Sequence, residues 1–168
     1  MTTISQPAVP GSELLLRVVT RSSELSGDPW ELNIESILRQ DLRGDVGKDG
    51  KARSFSVVMI CRCSDDEVDL ISGKLIKDDV LRAYPPGVSA RASSISAIRD
   101  AVGQAAFVVA EEPDPDIPHH AGIRFRITSP QPLAKPDQRH YRQLLYDLLV
   151  PLMSISKTRA ENCTETTC

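Results

Sequence analysis

Apolar residues along this chain come in short blocks divided by polar stretches, and the spacing inside each block predicts an element. Leu14, Leu15, Leu16, Val18 and Val19 form a first run that reads as a strand. Gly27, Asp28 and Pro29 then announce a helix, with Asp28 as N-cap, Pro29 at the first helical position and Glu31 closing a capping box. Trp30, Ile34, Ile37, Leu38 and Leu42 recur at helical spacing up to a stop at Gly44. A loop rich in Gly, Lys and Asp, Gly44 to Lys51, leads into Phe55, Val57, Val58, Met59 and Ile60, a short β-branched run expected as a buried strand.

Ser64, Asp65, Asp66 and Glu67 form a second capping box ahead of Val68, Ile71 and Leu75, which predicts a helix. A hairpin turning at Ser72 and Gly73 is the competing reading of the same residues. Asp78 and Asp79 open a short helix that has to end before Pro85 and Pro86. Ser93, Ile95, Ile98, Ala101 and Val102 predict a further helix ending near Gly103, and Ala105 to Ala110 a second buried strand. Glu111 to Pro118 is an acidic loop with three prolines. Ala121, Ile123, Phe125 and Ile127 alternate with Gly122, Arg124, Arg126 and Thr128, the period of a strand buried on one face. Past Pro130, Pro132 and Pro136, Asp137 caps a long last helix carrying Tyr141, Leu144, Leu145, Leu148, Leu149, Leu152, Met153 and Ile155.

The order strand, helix, strand, helices, strand, strand, helix implies an α+β domain: a small sheet of about four strands packed against amphipathic helices, with a long C-terminal helix. The domain is expected over residues 12–156, between a flexible arm at 1–11 and a flexible polar tail at 157–168. At 168 residues, 40% hydrophobic and 26% charged with a net charge of −3, the chain falls outside the disordered and disulfide-scaffold classes. The first sixteen residues hold no Lys or Arg, and no apolar run approaches the ~20 residues of a bilayer span. A cytoplasmic setting is therefore expected, with the four cysteines as reduced thiols.

Candidate chemistry is thin. Asp114, Asp116, His119 and His120 lie within seven residues, but adjacent His side chains on an extended chain point opposite ways, so a solvated loop is expected rather than a metal site. Cys61 and Cys63 share a strand face, whereas Cys163 and Cys168 sit in the tail, and their spacing is not that of paired zinc knuckles. The Gly44 to Lys51 loop follows a helix and enters a strand, the reverse of a phosphate-binding loop. No serine sits in a nucleophile elbow near His119, His120 or His140. No cofactor, metal site or catalytic residue is expected from these patterns.

Two features point to interactions. Arg124, Arg126, Lys135, Arg139 and Arg142 concentrate positive charge after the acidic loop, a candidate anion-binding stretch for RNA or an acidic lipid surface. Leu144, Leu145, Leu148, Leu149 and Leu152 cover more of the last helix than one buried face needs, which suggests a face for self-association or a protein partner. The strand, helix, basic Gly-rich loop and strand behind a polar arm resemble, over about the first third of the chain, small viral matrix proteins of the rhabdovirus kind. That resemblance implies a structural component touching an anionic surface. The expected function is thus a non-enzymatic assembly protein that homo-oligomerises; the alternative is a small enzyme or phosphate-ligand binder using residues 111–142.

Overall fold

In the computed structural model, residues 7–18, 25–26, 31–32, 38, 42, 54–76, 87–126, 133–152, 159 and 161–163 are described. The strands are β1 (Leu14–Val18), β2 (Leu25–Ser26), β3 (Glu31–Leu32), β4 (Phe55–Met59), β5 (Gly87–Arg91), β6 (Phe107–Glu111), β7 (His120–Phe125) and β8 (Val150–Leu152). The helices are α1 (Asp65–Leu75), α2 (Ala92–Ser96) and α3 (Lys135–Leu148). Six strands form one sheet in the order β6-β7-β4-β1-β5-β8, and every pairing in it is antiparallel. The fold is α+β, with six strands in place of the four or so expected.

β1 lies inside the sheet, with Leu15 opposite Met59 on one side and Ala90 on the other. Successive side chains of a strand point to opposite faces, and β1 carries leucines on both, Leu15 on one and Leu14 and Leu16 on the other, so both faces must be covered. Leu15 joins Phe55, Val57 and Met59 in a first core, roofed by Ala92 and Ile95 of α2 and Leu145 of α3. Phe107 and Phe125 stack within it, their ring centroids 5.3 Å apart. Leu14, Leu16 and Val18 face the other way with Val58 and Ile60, where Val68 and Ile71 of α1 complete a second core. The sheet is therefore the middle of three layers.

α1 forms as the capping box predicts. Ser64 Oγ accepts the amide of Glu67 at 3.2 Å, and Glu67 Oε1 accepts the amide of Ser64 at 3.0 Å. Helix, not hairpin, is the outcome for this segment. Gly73 is accommodated within α1, with open space where a Cβ would stand.

Four expectations change. Glu31 lies in a strand paired with Leu25–Ser26, so it does not close a capping box with Asp28; the Gly-Asp-Pro signal that reads as a helix start serves turns equally well. Leu38 and Leu42 are joined by a helical hydrogen bond of 2.8 Å and buried in the first core as expected, whereas Trp30, Ile34, Ile37 and the Gly44 to Lys51 loop lie outside the described residues. The Asp78 helix also lies outside them.

The helix expected from Ser93 to Val102 stops at Ser96. Asp100 Oδ1 accepts the amides of Val102 and Gln104, an alternative that takes these donors from any helix, and Gly103 turns the chain with φ at +81°. Val102 consequently projects into solvent.

The last helix ends at Leu148, not Ile155. Leu149 is extended, and Val150–Leu152 becomes β8, pairing with β5. Pro151 accounts for the break: it lacks an amide donor, its ring clashes with a preceding helical carbonyl, and it disfavours helical backbone at the residue before it.

The fourth change concerns the thiols. Cys61 and Cys163 form a disulfide across 102 residues with their Cα atoms 5.2 Å apart, while Cys63 stays a buried free thiol. Cys168 is outside the described residues.

Candidate functional site

Around the hairpin made by β6 and β7 lies a cluster of charged side chains that includes Arg124 and Glu112. Ile123 and Phe125 of β7 face the first core, so the alternation turns Gly122 and Arg124 to the opposite side of the sheet. On that side Glu112 folds back over Gly122, into space that a Cβ would occupy. Its carboxylate accepts the Ser54 hydroxyl at 2.9 Å and stands 3.7 Å from Arg124 Nη2. The pair is largely enclosed, with side-chain exposures of 11% for Arg124 and 16% for Glu112, so removing the Arg124 charge would leave the Glu112 carboxylate poorly solvated.

A second knot lies beside the first. Arg62, just past β4, donates Nε–H to Glu13 and Nη1–H to Glu111, both at 2.7 Å. These bonds, that to Glu13 foremost, raise the guanidinium pKa above its ordinary value. His119, with φ at +54°, occupies left-handed backbone unusual for a residue with a Cβ, and its Nε2 lies 3.2 Å from Glu67. The Glu67 carboxyl is held below its usual range first by the Ser64 amide and then by the nearby imidazole.

The four candidate metal ligands disperse. Asp114 Oδ1 accepts the amides of Asp116 and Ile117 in its own loop, and Asp116 pairs with Lys74 at 3.1 Å. His119 turns to Glu67, while His120 Nδ1 lies 2.6 Å from the carbonyl oxygen of Glu112, which can only accept, so Nδ1 carries the proton. Among the described residues no three His, Cys, Asp or Glu converge as metal ligands.

The five basic residues are not brought to one surface. Arg124 lies on the side of the sheet opposite the one that α3 covers, which separates it from Lys135, Arg139 and Arg142 on that helix. Lys135 and Arg139 are exposed, Arg142 is half-buried, and Arg126 is exposed just past β7.

The leucines divide as well. Leu145 and Leu149 are buried in the first core, and Leu144 and Leu148 are packed against its margin. Leu152 lies in β8 opposite Gly87. Among the described residues, the large apolar side chains left exposed at this corner are Tyr146, at 39%, and Val150, at 56%.

The C-terminal residues reach back to the second core. Cys163 packs against it beside Cys61, Leu75 and Ile117, and its amide closes a helical turn to Arg159 at 3.0 Å. Arg159 pairs with Asp65 at the start of α1, and the carbonyl of Asn162 accepts from Arg91 Nη2 at 3.0 Å. Asp65 is 92% exposed, and a surface pair of this kind contributes about 0–1 kcal/mol, less than the ~1–2 kcal/mol of backbone entropy lost on fixing a single residue. Burial in the second core pushes the Cys63 thiol up to about 12. This meeting leaves no local trace in the sequence, because Cys61 and Cys163 are 102 residues apart and no spacing rule links them.

No family model, curated protein or solved structure matches the chain. The likeness to rhabdovirus matrix proteins also rested on an early helix, within whose expected span Glu31–Leu32 form a strand.

Proposed function

We propose that this chain is a non-enzymatic assembly protein that associates with a second copy of itself at the corner between α3 and β8. The observation that carries the reading is the exposure of Tyr146 and Val150, two large apolar side chains four residues apart at the end of a helix whose other leucines are already packed inward. A two-fold contact would set each pair against its equivalent, shielding in both copies the groups that a lone chain leaves in water.

Backbone pairing of sheet edges is the less suitable route. Residues 7–9 lie along the outer edge of β6, with Val9 donating to Val109 at 3.1 Å and Glu111 donating to Pro7 at 2.9 Å. β8, at the opposite edge, carries Pro151, which cannot donate. Side-chain contact at the corner is thus preferred over the sheet edges. Contact with RNA or an acidic lipid surface belongs to the same proposal and falls to Lys135 and Arg139, exposed on the first turns of α3.

Sedimentation velocity from 1 to 200 µM decides the matter. A concentration-dependent shift to dimer or larger, abolished by a joint Tyr146→Glu and Val150→Glu change in a chain that keeps its melting temperature, is the expected result. A monomer throughout that range overturns the reading.

A further inference from the structure

We propose that residues 7–10 are an edge guard: they deny the outer edge of β6 to other copies of this chain, and a chain stripped of them pairs its β6 with the β6 of a second copy. β6 ends the six-stranded sheet, with β7 as its neighbour on the inner side. Backbone groups along such an antiparallel strand alternate in direction. The carbonyl of Ala106 accepts from the amide of Arg126, and the amide of Glu112 donates to His120, so the even-numbered residues of this stretch face β7. The odd-numbered ones, Val109 and Glu111 included, face away. Those outward groups are the ones the arm takes up: Val9 donates to Val109 and Glu111 donates to Pro7, on either side of the bridged pair Ala8 and Ala110. Val9 also buries its side chain in the first core.

A segment laid on an edge creates a new edge outside it, and here that outer row is blunt. With Pro7 and Val9 turned to β6, the groups facing outward belong to Ala8 and Pro10. Pro10 has no N–H, and its carbonyl accepts the amide of Glu13 at 3.1 Å. Within residues 7–10, Ala8 alone brings both a donor and an acceptor to that side. Without the arm, β6 presents Val109 and Glu111 bare on a run, Phe107–Glu111, whose Phe and two Val favour strands. The fitting partner is a second copy, because the edge is self-complementary. With a two-fold axis beside Val109, each copy's Val109 amide donates to the other's Val109 carbonyl, and each Glu111 amide meets a Phe107 carbonyl. That pairing uses up both β6 edges and stops at the dimer. The surface is also independent of the corner at Tyr146 and Val150, since β6 and β8 lie at opposite edges of the sheet.

The test takes the full chain with Tyr146→Glu and Val150→Glu as parent, so that contact at the corner does not contribute. One variant lacks residues 1–9; a second keeps them and carries Val9→Pro, which removes the N–H bonded to Val109 while leaving an apolar side chain. Sedimentation velocity at up to ~200 µM should show both variants shifted toward twice the parent's mass. In dilute solution the Glu111 amide of each should exchange with solvent at least ~10-fold faster than in the parent, and protection should return as the dimer forms. Variants that keep the parent's melting temperature and its sedimentation overturn the guard. Loss of the fold in both overturns it too, since the arm would then be a piece of the core. Association in which the Glu111 amide still exchanges fast, or which grows past twice the parent's mass, overturns the two-fold pairing at β6.

Discussion

The Glu112 carboxylate lies over Gly122, filling the place of the side chain that glycine lacks, and from there reaches both Ser54 and Arg124. An alanine at 122 must push the carboxylate off these partners. Gly122→Ala should cost about 1–2 kcal/mol in urea denaturation, and clearly less when Glu112 is already alanine, a coupling of at least ~0.5 kcal/mol. Simple additivity of the two changes would show that the close approach carries no energy.

Arg124 and Arg126 look equivalent in the alternating pattern, yet one is enclosed with a carboxylate and the other is exposed. Arg124→Ser should therefore lower stability by about 1–3 kcal/mol, because it leaves Glu112 without its cation, whereas Arg126→Ser should stay within ~0.5 kcal/mol of the parent. Equal effects on the thermal midpoint would contradict the ion pair.

Glu67 gives the fold a pH dependence of known sign. Its carboxyl titrates lower in the folded chain than the ~4.3 of an unfolded one, so its contribution is complete above that value and disappears as pH falls through the lowered folded pKa. Glu67→Gln should flatten the loss of stability below pH ~4.3, and Ser64→Ala, which removes the other half of the capping box, should cost about 1 kcal/mol at neutral pH. Parallel acid-denaturation curves for parent and Glu67→Gln would refute the assignment.

Leu145 and Tyr146 are neighbours in sequence with opposite fates, one wholly buried and one exposed. Leu145→Ala should cost about 2–5 kcal/mol through the cavity it leaves in the first core, while Tyr146→Ala should change the stability of the dilute chain by less than ~1 kcal/mol. Chemical denaturation at low micromolar concentration separates them.

Patterns confined to a few residues were legible in the sequence. The apolar runs through β1 and β4 signalled strands, that of β4 a buried one, and the Ser64 to Glu67 box signalled α1. The alternation through Ala121, Ile123 and Phe125 correctly turned one face of β7 to the core. Ambiguity entered where one signal serves two structures. Gly27-Asp28-Pro29 suits a turn as well as a helix start, and the leucines around Pro151 keep helical spacing although the chain changes from helix to strand among them. β5, with small residues and a terminal Arg, carries no hydrophobic period and was missed; its place between β1 and β8 makes it a strand. Partnerships of long reach, Arg62 with Glu13 and Glu111 or Cys61 with Cys163, leave no local trace at all.

The interior position of β1 also sets a timetable for the growing chain. Its two sheet neighbours begin only at residues 55 and 87, so a newly made β1 has both edges unpaired, and both apolar faces bare, until much of the sheet has been synthesised. Pairing across such separations is slow compared with helix formation, and an exposed strand invites association in the meantime. The stretch Leu14 to Val18, whose leucines and valine are all buried in the finished molecule, is thus one in need of shelter on the ribosome.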